Sequence, residues 1–215
     1  MPHLVIATRN AHKVQEIQAV LGPRFHYLTL RNLPSAPEVA ETGLTFEANA
    51  RLKAESLASW ILETRPTAFA SASTPWFVLA DDSGLEVDAL EGAPGVQSAR
   101  FAAPELGLPG NAPDGANNAK LLRRLADVPA SSRTARFRCV LAFTPVVPPL
   151  ATLVASGACE GRIGFAPQGA HGFGYDPLFL PLGFSQTLAE LGETTKNRIS
   201  HRSHALQALQ ALIPG

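Results

Sequence analysis

The feature that most constrains the fold of this chain is the alternation of short apolar segments with segments of helical spacing. Leu4–Ala7 is a short apolar segment, and apolar residues then recur through 14–21 at the spacing of one helix face. Further along, Arg136–Phe143 alternates as a strand with one buried face does. Strands that alternate with helices are typical of α/β proteins. The sequence therefore predicts one mixed α/β unit, with an antiparallel pair of strands within 136–159.

Composition excludes several classes of protein. Hydrophobic residues make up 46% of the 215 residues, and 18 Lys and Arg balance 18 Asp and Glu. A disordered chain needs lower hydrophobicity and higher net charge, and a general nucleic-acid binder carries a basic excess. No apolar run reaches the roughly 20 residues of a membrane span. The amino terminus enters a predicted strand at once, which is not the pattern of a signal peptide. The two cysteines are too few for a disulfide framework. We therefore expect a soluble, cytoplasmic protein that binds neither nucleic acid nor membrane.

Two adjacent carboxylates follow the apolar segment Trp76–Ala80. Asp81 and Asp82 repel each other there and lie where desolvation is costly. In one interpretation they point in opposite directions, and one of them is a Mg²⁺ ligand, a general base or both. In the other, they belong to a turn between two strands, in which Gly84 supplies a positive φ. Glu41, in a loop ahead of a predicted helix, is a second candidate metal ligand.

The segment Thr8–Lys13 combines a hydroxyl, an amide and an ammonium group ahead of the first predicted helix. A strand–loop–helix connection presents backbone N–H groups to an anion, and Lys13 supplies a compact charge that suits phosphate. Asn10 would serve phosphate or metal, or would cap the helix. Because the segment lacks the glycines of a P-loop, a phosphate site and an ordinary capped helix both stay open.

Two segments nearer the carboxyl end favour contacts with a nucleotide base. In Gly172–Pro177 two glycines allow close approach of the backbone, and Phe173 or Tyr175 could stack on a base. The alternative there is a glycine-rich turn with aromatic plugs. In Lys196–Arg202, the guanidinium of Arg202 has only donors, so it matches a 6-oxo purine edge and disfavours a 6-amino group. The alternative there is a set of solvated charges on the last helix.

Taken together, six segments resemble the inosine triphosphate pyrophosphatase family, whose members hydrolyse deaminated purine nucleoside triphosphates. The segments occur in family order and span residues 4–212. The resemblance implies an α/β fold with a long mixed twisted sheet flanked by helices, and two lobes with a central nucleotide-binding cleft. It also implies one pyrophosphatase domain over 1–215 and a homodimer. The segments are Ala7–Lys13, Glu41–Ala50, Ala80–Leu85, Gly92–Phe101, Gly172–Pro177 and Ile199–Arg202.

By position, the resemblance assigns a role to each candidate residue. Asp82 would be the catalytic general base, and Glu41 and Asp82 would bind Mg²⁺. Position 9 is Arg where many members have a small residue, which would alter phosphate contacts, and the loop 63–75 is longer than usual. The triphosphate would be bound by Thr8, Arg9, Asn10, Ala11, His12 and Lys13, and the rest of the substrate by Ser83, Phe173, Gly174, Tyr175, Asp176, Lys196, His201 and Arg202.

The implied reaction is metal-assisted attack of water on the α-phosphorus of ITP, dITP or XTP, which gives the nucleoside monophosphate and pyrophosphate. The metal and Lys13 would neutralise the developing charge, and Asp82 would orient or deprotonate the water. Two other functions stay open. One is a nucleotide-binding sensor without turnover, which would need no acidic metal pair, and the other is a hydrolase of other modified nucleotides.

Overall fold

The structure of the protein, a computed structural model, describes residues 1–66, 69, 74–147, 149 and 151–213. Residues 67, 68 and 70–73 of the predicted loop 63–75 therefore lie outside the described residues. The strands are β1 (His3–Ile6), β2 (His26–Thr29), β3 (Trp76–Val87), β4 (Thr134–Pro145), β5 (Leu153–Ile163) and β6 (Phe179–Pro181). The helices are α1 (Ala11–Leu21), α2 (Phe46–Thr64), α3 (Ala103–Leu106), α4 (Asp114–Arg124), α5 (Leu188–Ile199) and α6 (His201–Leu212).

The strands form a six-stranded sheet in the order β2–β1–β3–β4–β5–β6. Strand β1 pairs in parallel with both β2 and β3, whereas β5 and β6 pair antiparallel. Parallel strands require a crossover connection, and α1 supplies it between β1 and β2. The sheet is therefore mixed, as the sequence predicts.

Local capping explains where the main helices begin. The Asn10 side chain accepts hydrogen bonds from the first turn of α1, and the Thr45 hydroxyl does the same for α2. At α5, Thr187 and Glu190 form a reciprocal capping box. The sequence predicts caps at Thr45 and Thr187 as well as at Asn10, since each is a polar residue directly ahead of a helical pattern, and all three are confirmed.

Strand β3 runs without a break through the two adjacent carboxylates. It covers 12 residues, and Gly84 is not among the glycines with a positive φ. The alternative of a turn between two strands is therefore wrong. The physical reason is that Asp81 and Asp82, only 3% and 6% exposed, each find cationic or polar partners inside the fold.

The abundance of Gly, Pro and Asn in 102–115 predicts a loop that ends at an Asp114 cap, but this region is partly helical. It contains α3, and α4 begins at Asp114 itself, with Pro113 in the capping position and no side-chain cap. The Asp114 carboxylate instead accepts a hydrogen bond from the distant Gly174 N–H at 2.7 Å. The predicted cap is wrong because a tertiary contact takes the place of the local one.

The chain divides into two compact units, and each has its own apolar core. The first unit comprises Met1–Asp82, Cys139–Gly157 and Ala205–Gly215, and the second comprises Ser83–Arg138 and Ala158–His204. The core of the first unit includes Leu4, Ile6, Ile17, Leu79, Leu141, Leu206 and Leu209. The core of the second includes Leu85, Leu121, Leu125, Phe137, Tyr175 and Phe179.

Two further observations concern the predicted setting of the protein. Of the helices that the structure describes, none has both the length and the apolar character required to cross a membrane. Cys139 and Cys159 are both buried thiols that form no disulfide. Burial raises the pKa of the Cys159 thiol to about 11, so that this thiol is protonated at neutral pH.

Candidate functional site

Two segments of the first unit, the loop that carries Glu41 and strand β3, converge on Lys53 of α2. The Lys53 Nζ lies 2.8 Å from Glu41 Oε1, 2.8 Å from Asp82 Oδ1 and 2.8 Å from the backbone oxygen of Asp81. Glu41 precedes α2, Lys53 belongs to α2, and the two aspartates belong to β3. An ammonium group has three donors, so these three oxygens satisfy it.

A second lysine joins this cluster from α1. The Lys13 ammonium pairs with the Asp81 carboxylate, whose other oxygen accepts a hydrogen bond from the Cys139 thiol at 3.0 Å. Asp81 therefore faces Lys13 and Cys139, whereas Asp82 faces Lys53. The two adjacent carboxylates have different partners, as strand alternation predicts. We call Lys13, Glu41, Lys53, Asp81 and Asp82 the acidic site.

The asparagine Asn49 connects the acidic site to the loop that carries Glu41. Its Nδ2 donates to Asp82 Oδ2 at 3.3 Å, and its Oδ1 accepts the Gly43 N–H at 2.7 Å. A Cβ at Gly43 would lie 2.6 Å from that Oδ1, so the close approach requires glycine. Sequence reasoning missed both Asn49 and Lys53. The available signal was the four-residue spacing of Thr45, Asn49 and Lys53, which places polar groups on one face of α2.

Electrostatics distinguish the acidic site from an ordinary surface cluster. Burial raises the pKa of the Asp82 carboxyl, and attraction to Lys53 opposes this rise only in part. Burial disfavours the charge on Lys53, but attraction to Asp82 and Glu41 outweighs it and raises the pKa of Lys53. A carboxyl with a raised pKa is a stronger proton acceptor than an exposed one, so Asp82 suits the role of a general base.

The loop Thr8–Lys13 connects β1 to α1. The Asn10 Oδ1 accepts hydrogen bonds from two backbone N–H groups of the first helical turn at 2.9 and 3.2 Å, and the Thr8 hydroxyl accepts one from the Asn10 N–H at 3.1 Å. Asn10 therefore caps α1, as one of the two alternatives predicts. Lys13 is the residue of Thr8–Lys13 whose side chain belongs to the acidic site. Arg9 lies 3.9 Å from Glu38 in an exposed ion pair. The exposed members of the loop are Arg9, Ala11 and His12.

In the second unit, a buried ion pair holds the segment Gly172–Pro177. The Lys196 Nζ lies 2.6 Å from Asp176 Oδ2, and the two side chains are only 4% and 3% exposed. The same oxygen accepts the Phe173 N–H at 2.9 Å, and the Lys196 ammonium lies 4.3 Å from the centre of the Phe173 ring. The ion pair therefore orients both the backbone and the ring of Phe173. We call Phe173, Asp176 and Lys196 the Asp176 cluster.

The two aromatic residues considered for stacking have different environments. Tyr175 is buried in the core of the second unit, and its hydroxyl donates to the Ser98 backbone oxygen at 2.9 Å. Burial also raises the pKa of the Tyr175 hydroxyl. Phe173 is only half-buried. Of the two aromatic residues, Phe173 is therefore the more exposed.

The three candidate site residues of the cationic segment near the carboxyl end are buried. Lys196, His201 and Arg202 are 3%, 4% and 1% exposed, so the alternative of solvated charges is wrong. The Arg202 Nη2 donates to the Ser83 hydroxyl at 2.9 Å, and the His201 ring stacks on Phe137 at a centroid distance of 4.8 Å. The structure thus brings the predicted residues Ser83 and Arg202 into direct contact.

The chemistry of the acidic site fits a divalent cation. Across the described part of the chain, no group of three or more His, Cys, Asp or Glu side chains is arranged to hold a metal ion. Mg²⁺, however, is commonly bound by one or two carboxylates together with substrate phosphates. Glu41 and Asp82 already share one cationic partner, and each carboxylate can accept more than one contact. Hard oxygen donors of this kind are the ligands that Mg²⁺ prefers.

The chain is similar to known proteins over nearly its whole length. Residues 4–212 match the Ham1 family. The chain is 50% identical over 212 residues to the dITP/XTP pyrophosphatase of Exiguobacterium sibiricum, covering 98% of this chain and 96% of that protein. It is 46% identical over 212 residues to the dITP/XTP pyrophosphatase of Nitratidesulfovibrio vulgaris, covering 98% and 95%. The solved Ham1 protein of Coxiella burnetii is 37% identical, with a TM-score of 0.80 and coverage of 99% and 98%. The resemblance and the α/β fold predicted from the sequence are confirmed.

Proposed function

The chain belongs to the Ham1 family, and we propose that it hydrolyses the deaminated purine nucleoside triphosphates ITP, dITP and XTP to the monophosphate and pyrophosphate. The observation that carries this proposal is the acidic site. There Lys13, Glu41 and Asp82, which come from three distant segments, meet within the first unit through Lys53 and Asp81. A constellation of two lysines and three carboxylates suits phosphoryl chemistry, which depends on positioning and on neutralisation of charge.

Asp82 is the group that accepts a proton in this proposal. Because its pKa is raised, Asp82 is a stronger base than an exposed carboxylate, and it takes a proton from the water that attacks the α-phosphorus. Lys53 and Asn49 hold the Asp82 carboxylate in place from α2. Lys13 donates to a phosphate oxygen and neutralises part of the charge that develops there.

The charge balance of the acidic site supports a requirement for Mg²⁺. Three carboxylates face two ammonium groups, so the site carries excess negative charge and would repel a triphosphate. Glu41 and Asp82 would hold the ion, which supplies positive charge to the phosphates. Chelation by EDTA is therefore expected to abolish turnover, and added Mg²⁺ is expected to restore it.

The choice of base is proposed to depend on donors in the second unit. Arg202 and His201 would donate to the 6-oxygen of hypoxanthine or xanthine, and the amino group of adenine would leave them unpaired. Rejection of a mismatched polar edge reaches factors of about 10⁴. Arg202→Ala should therefore narrow the ratio of ITP to ATP turnover, measured as kcat/KM, and an unchanged ratio would assign the discrimination to other residues.

A pyrophosphate-release assay tests the whole proposal. Purified protein is given ITP, dITP, XTP, GTP, ATP and a set of pyrimidine and methylated triphosphates, each with Mg²⁺ and with EDTA. Release from the deaminated purines alone supports the proposal. Binding without release would indicate a sensor, and preferential release from another nucleotide would indicate a hydrolase of that nucleotide.

Location and assembly belong to the same proposal. Two buried thiols that form no disulfide are compatible with a reducing compartment, and we propose that the protein acts in the cytoplasm. We also propose the homodimer that the resemblance implies. Light scattering on the purified protein measures the assembly directly.

A further inference from the structure

Helix α4 holds the peptide backbone of Gly174 from both sides. The Asp114 Oδ2 accepts the Gly174 N–H at 2.7 Å, and the Asn118 Nδ2 donates to the Gly174 backbone oxygen at 3.0 Å. Asp114 and Asn118 are four residues apart, so they share one face of the helix. All of these groups belong to the second unit.

The identity of Asn118 is not explained by packing alone. The residue is 7% exposed, and among the residues that the structure describes its Oδ1 has no hydrogen-bond partner. A buried amide with an unsatisfied oxygen costs free energy that an apolar side chain of similar size would avoid. The hydrogen bond from Asn118 to Gly174 is therefore the contact that accounts for an amide at this position.

The Gly174 peptide matters because Phe173 precedes it. Gly172 and Gly174 both have a positive φ, at 78° and 62°, so the backbone on each side of Phe173 has an uncommon conformation. Asp176 holds the Phe173 N–H at 2.9 Å. With Asp114 on the Gly174 N–H and Asn118 on the Gly174 C=O, three side chains fix three consecutive peptide groups around one half-buried ring.

We propose that Asp114 and Asn118 are positioning residues for base recognition, which hold the Gly174 peptide so that the Phe173 ring is already oriented to stack on the purine. This inference rests on the proposed function, and it assigns a task to two residues of α4 that touch no substrate. Fixing the ring before binding lowers the ordering cost of association, so the loss of either contact weakens binding of the base and spares the chemical step.

The test compares KM and kcat for ITP in two variants. Asn118→Leu removes the donor at similar volume, and Asp114→Ala removes the acceptor. Each should raise the KM for ITP about 5- to 30-fold, the factor that one lost buried hydrogen bond corresponds to. Because binding is uniformly weakened, kcat should change little. Inorganic tripolyphosphate, which has no base, should inhibit both variants as strongly as it inhibits the wild type.

Two matched variants separate positioning from a structural role. Asp114→Asn keeps an oxygen that accepts the Gly174 N–H but removes the charge at the start of α4, so it should restore the KM of the wild type. Asn117 is the neighbouring buried asparagine, and it bonds to the backbone at Ala99, Ala102 and Ala112 rather than to Gly174. Asn117→Asp should lower the melting temperature without a selective rise in the KM for ITP.

The outcomes distinguish this inference from the proposed function. No turnover of ITP by the wild type would overturn the proposed function and this inference with it. Turnover by the wild type together with an unchanged KM in folded Asn118→Leu and Asp114→Ala would overturn only the positioning role. The positioning role would also be overturned if inhibition by tripolyphosphate weakened as much as the KM for ITP rose in these variants. It would likewise be overturned if Asp114→Asn did not restore the KM of the wild type. If Asn118→Leu does not fold, Asn118→Asp removes the same donor without a change in size and is held to the same expectation.

Discussion

The acidic site and the Asp176 cluster both pair lysine with aspartate, but they differ in balance and in burial. In the acidic site, Lys13 and Lys53 remain 17% and 13% exposed and face more carboxylates than they can neutralise. In the Asp176 cluster, one lysine and one aspartate are 4% and 3% exposed and neutralise each other.

This difference separates two tasks that charged groups perform. A partly exposed group of charged side chains whose charges do not cancel can bind a metal ion or a phosphate, or exchange a proton. A balanced and buried pair has no charge left over, and its contribution is to fix geometry, here the backbone and ring of Phe173. Substitutions in the acidic site should therefore change chemistry first, and substitutions in the ion pair of Lys196 and Asp176 should change folding first.

The largest effect is expected for Asp82→Asn. The amide keeps the size of the side chain but cannot accept a proton, so kcat for ITP should fall by about 10²- to 10⁴-fold, the usual contribution of a general base. Inhibition by tripolyphosphate should be largely retained, because Lys13 and Glu41 are unchanged and the substitution removes one negative charge from the site. Asp88→Asn is the control, since Asp88 lies after β3 and pairs with Arg136 on the surface. Equal activity of Asp82→Asn and wild type would remove Asp82 from its proposed role.

The next effect is on stability and concerns Lys196→Met. Removal of the ammonium leaves the Asp176 carboxylate buried without its partner, which should lower the free energy of unfolding by about 3–5 kcal/mol. Arg123→Met in the same unit removes an ion pair to Glu105 whose members are 62% and 47% exposed, and should cost at most about 1 kcal/mol. Denaturant unfolding measures both. If Lys196→Met lost activity with no loss of stability, the contrast between the two sites would be wrong.

The parts of the fold that follow local rules could be predicted from the sequence. Asn10, Thr45 and Thr187 are polar residues directly ahead of helical patterns, and a cap needs only its own first turn. The mixed sheet followed from the order of strands and helices. The prediction that Asp114 caps a helix failed because its carboxylate binds the distant Gly174 N–H, and a local sequence pattern contains no information on such a contact.

The acidic site could be predicted only in part for the same reason. The sequence indicates Glu41 as a candidate because it lies in a loop, and Asp82 because it follows an apolar segment. That the two side chains lie close together depends on tertiary structure. Lys53 was missed because a lysine within a long amphipathic helix is normally solvated, and here α2 directs it to β3. The break expected after Ala80 did not occur, since partners from α1 and α2 allow the strand to carry two buried aspartates.

A smaller effect is expected for alanine at the two glycines beside Phe173. Both have a positive φ, where a Cβ costs about 1–2 kcal/mol. A Cβ at Gly174 would meet open space, whereas a Cβ at Gly172 would collide with the Asp176 carboxylate. Gly172→Ala should therefore be less stable than Gly174→Ala and should disturb the ion pair with Lys196. Thermal unfolding ranks the two variants, and the opposite order would contradict the packing of the Asp176 cluster.

The smallest effect concerns the titration of Asp82 in metal-free protein. Lys53 and Lys13 both lower the pKa of Asp82 by attraction, and of the influences on this carboxyl that of Lys13 is the weakest. Removing either cation therefore raises the pKa of Asp82, and Lys53→Met should raise it more than Lys13→Met. Asp82 accepts a proton only when it is ionised. The pH at which it loses its activity as a base should therefore rise in both variants, and more in Lys53→Met than in Lys13→Met. Carboxyl carbon chemical shifts followed by NMR from acid to neutral pH measure these changes. A larger rise in Lys13→Met would show that Asp82 faces Lys13, and the division of the two aspartates between two lysines would be wrong.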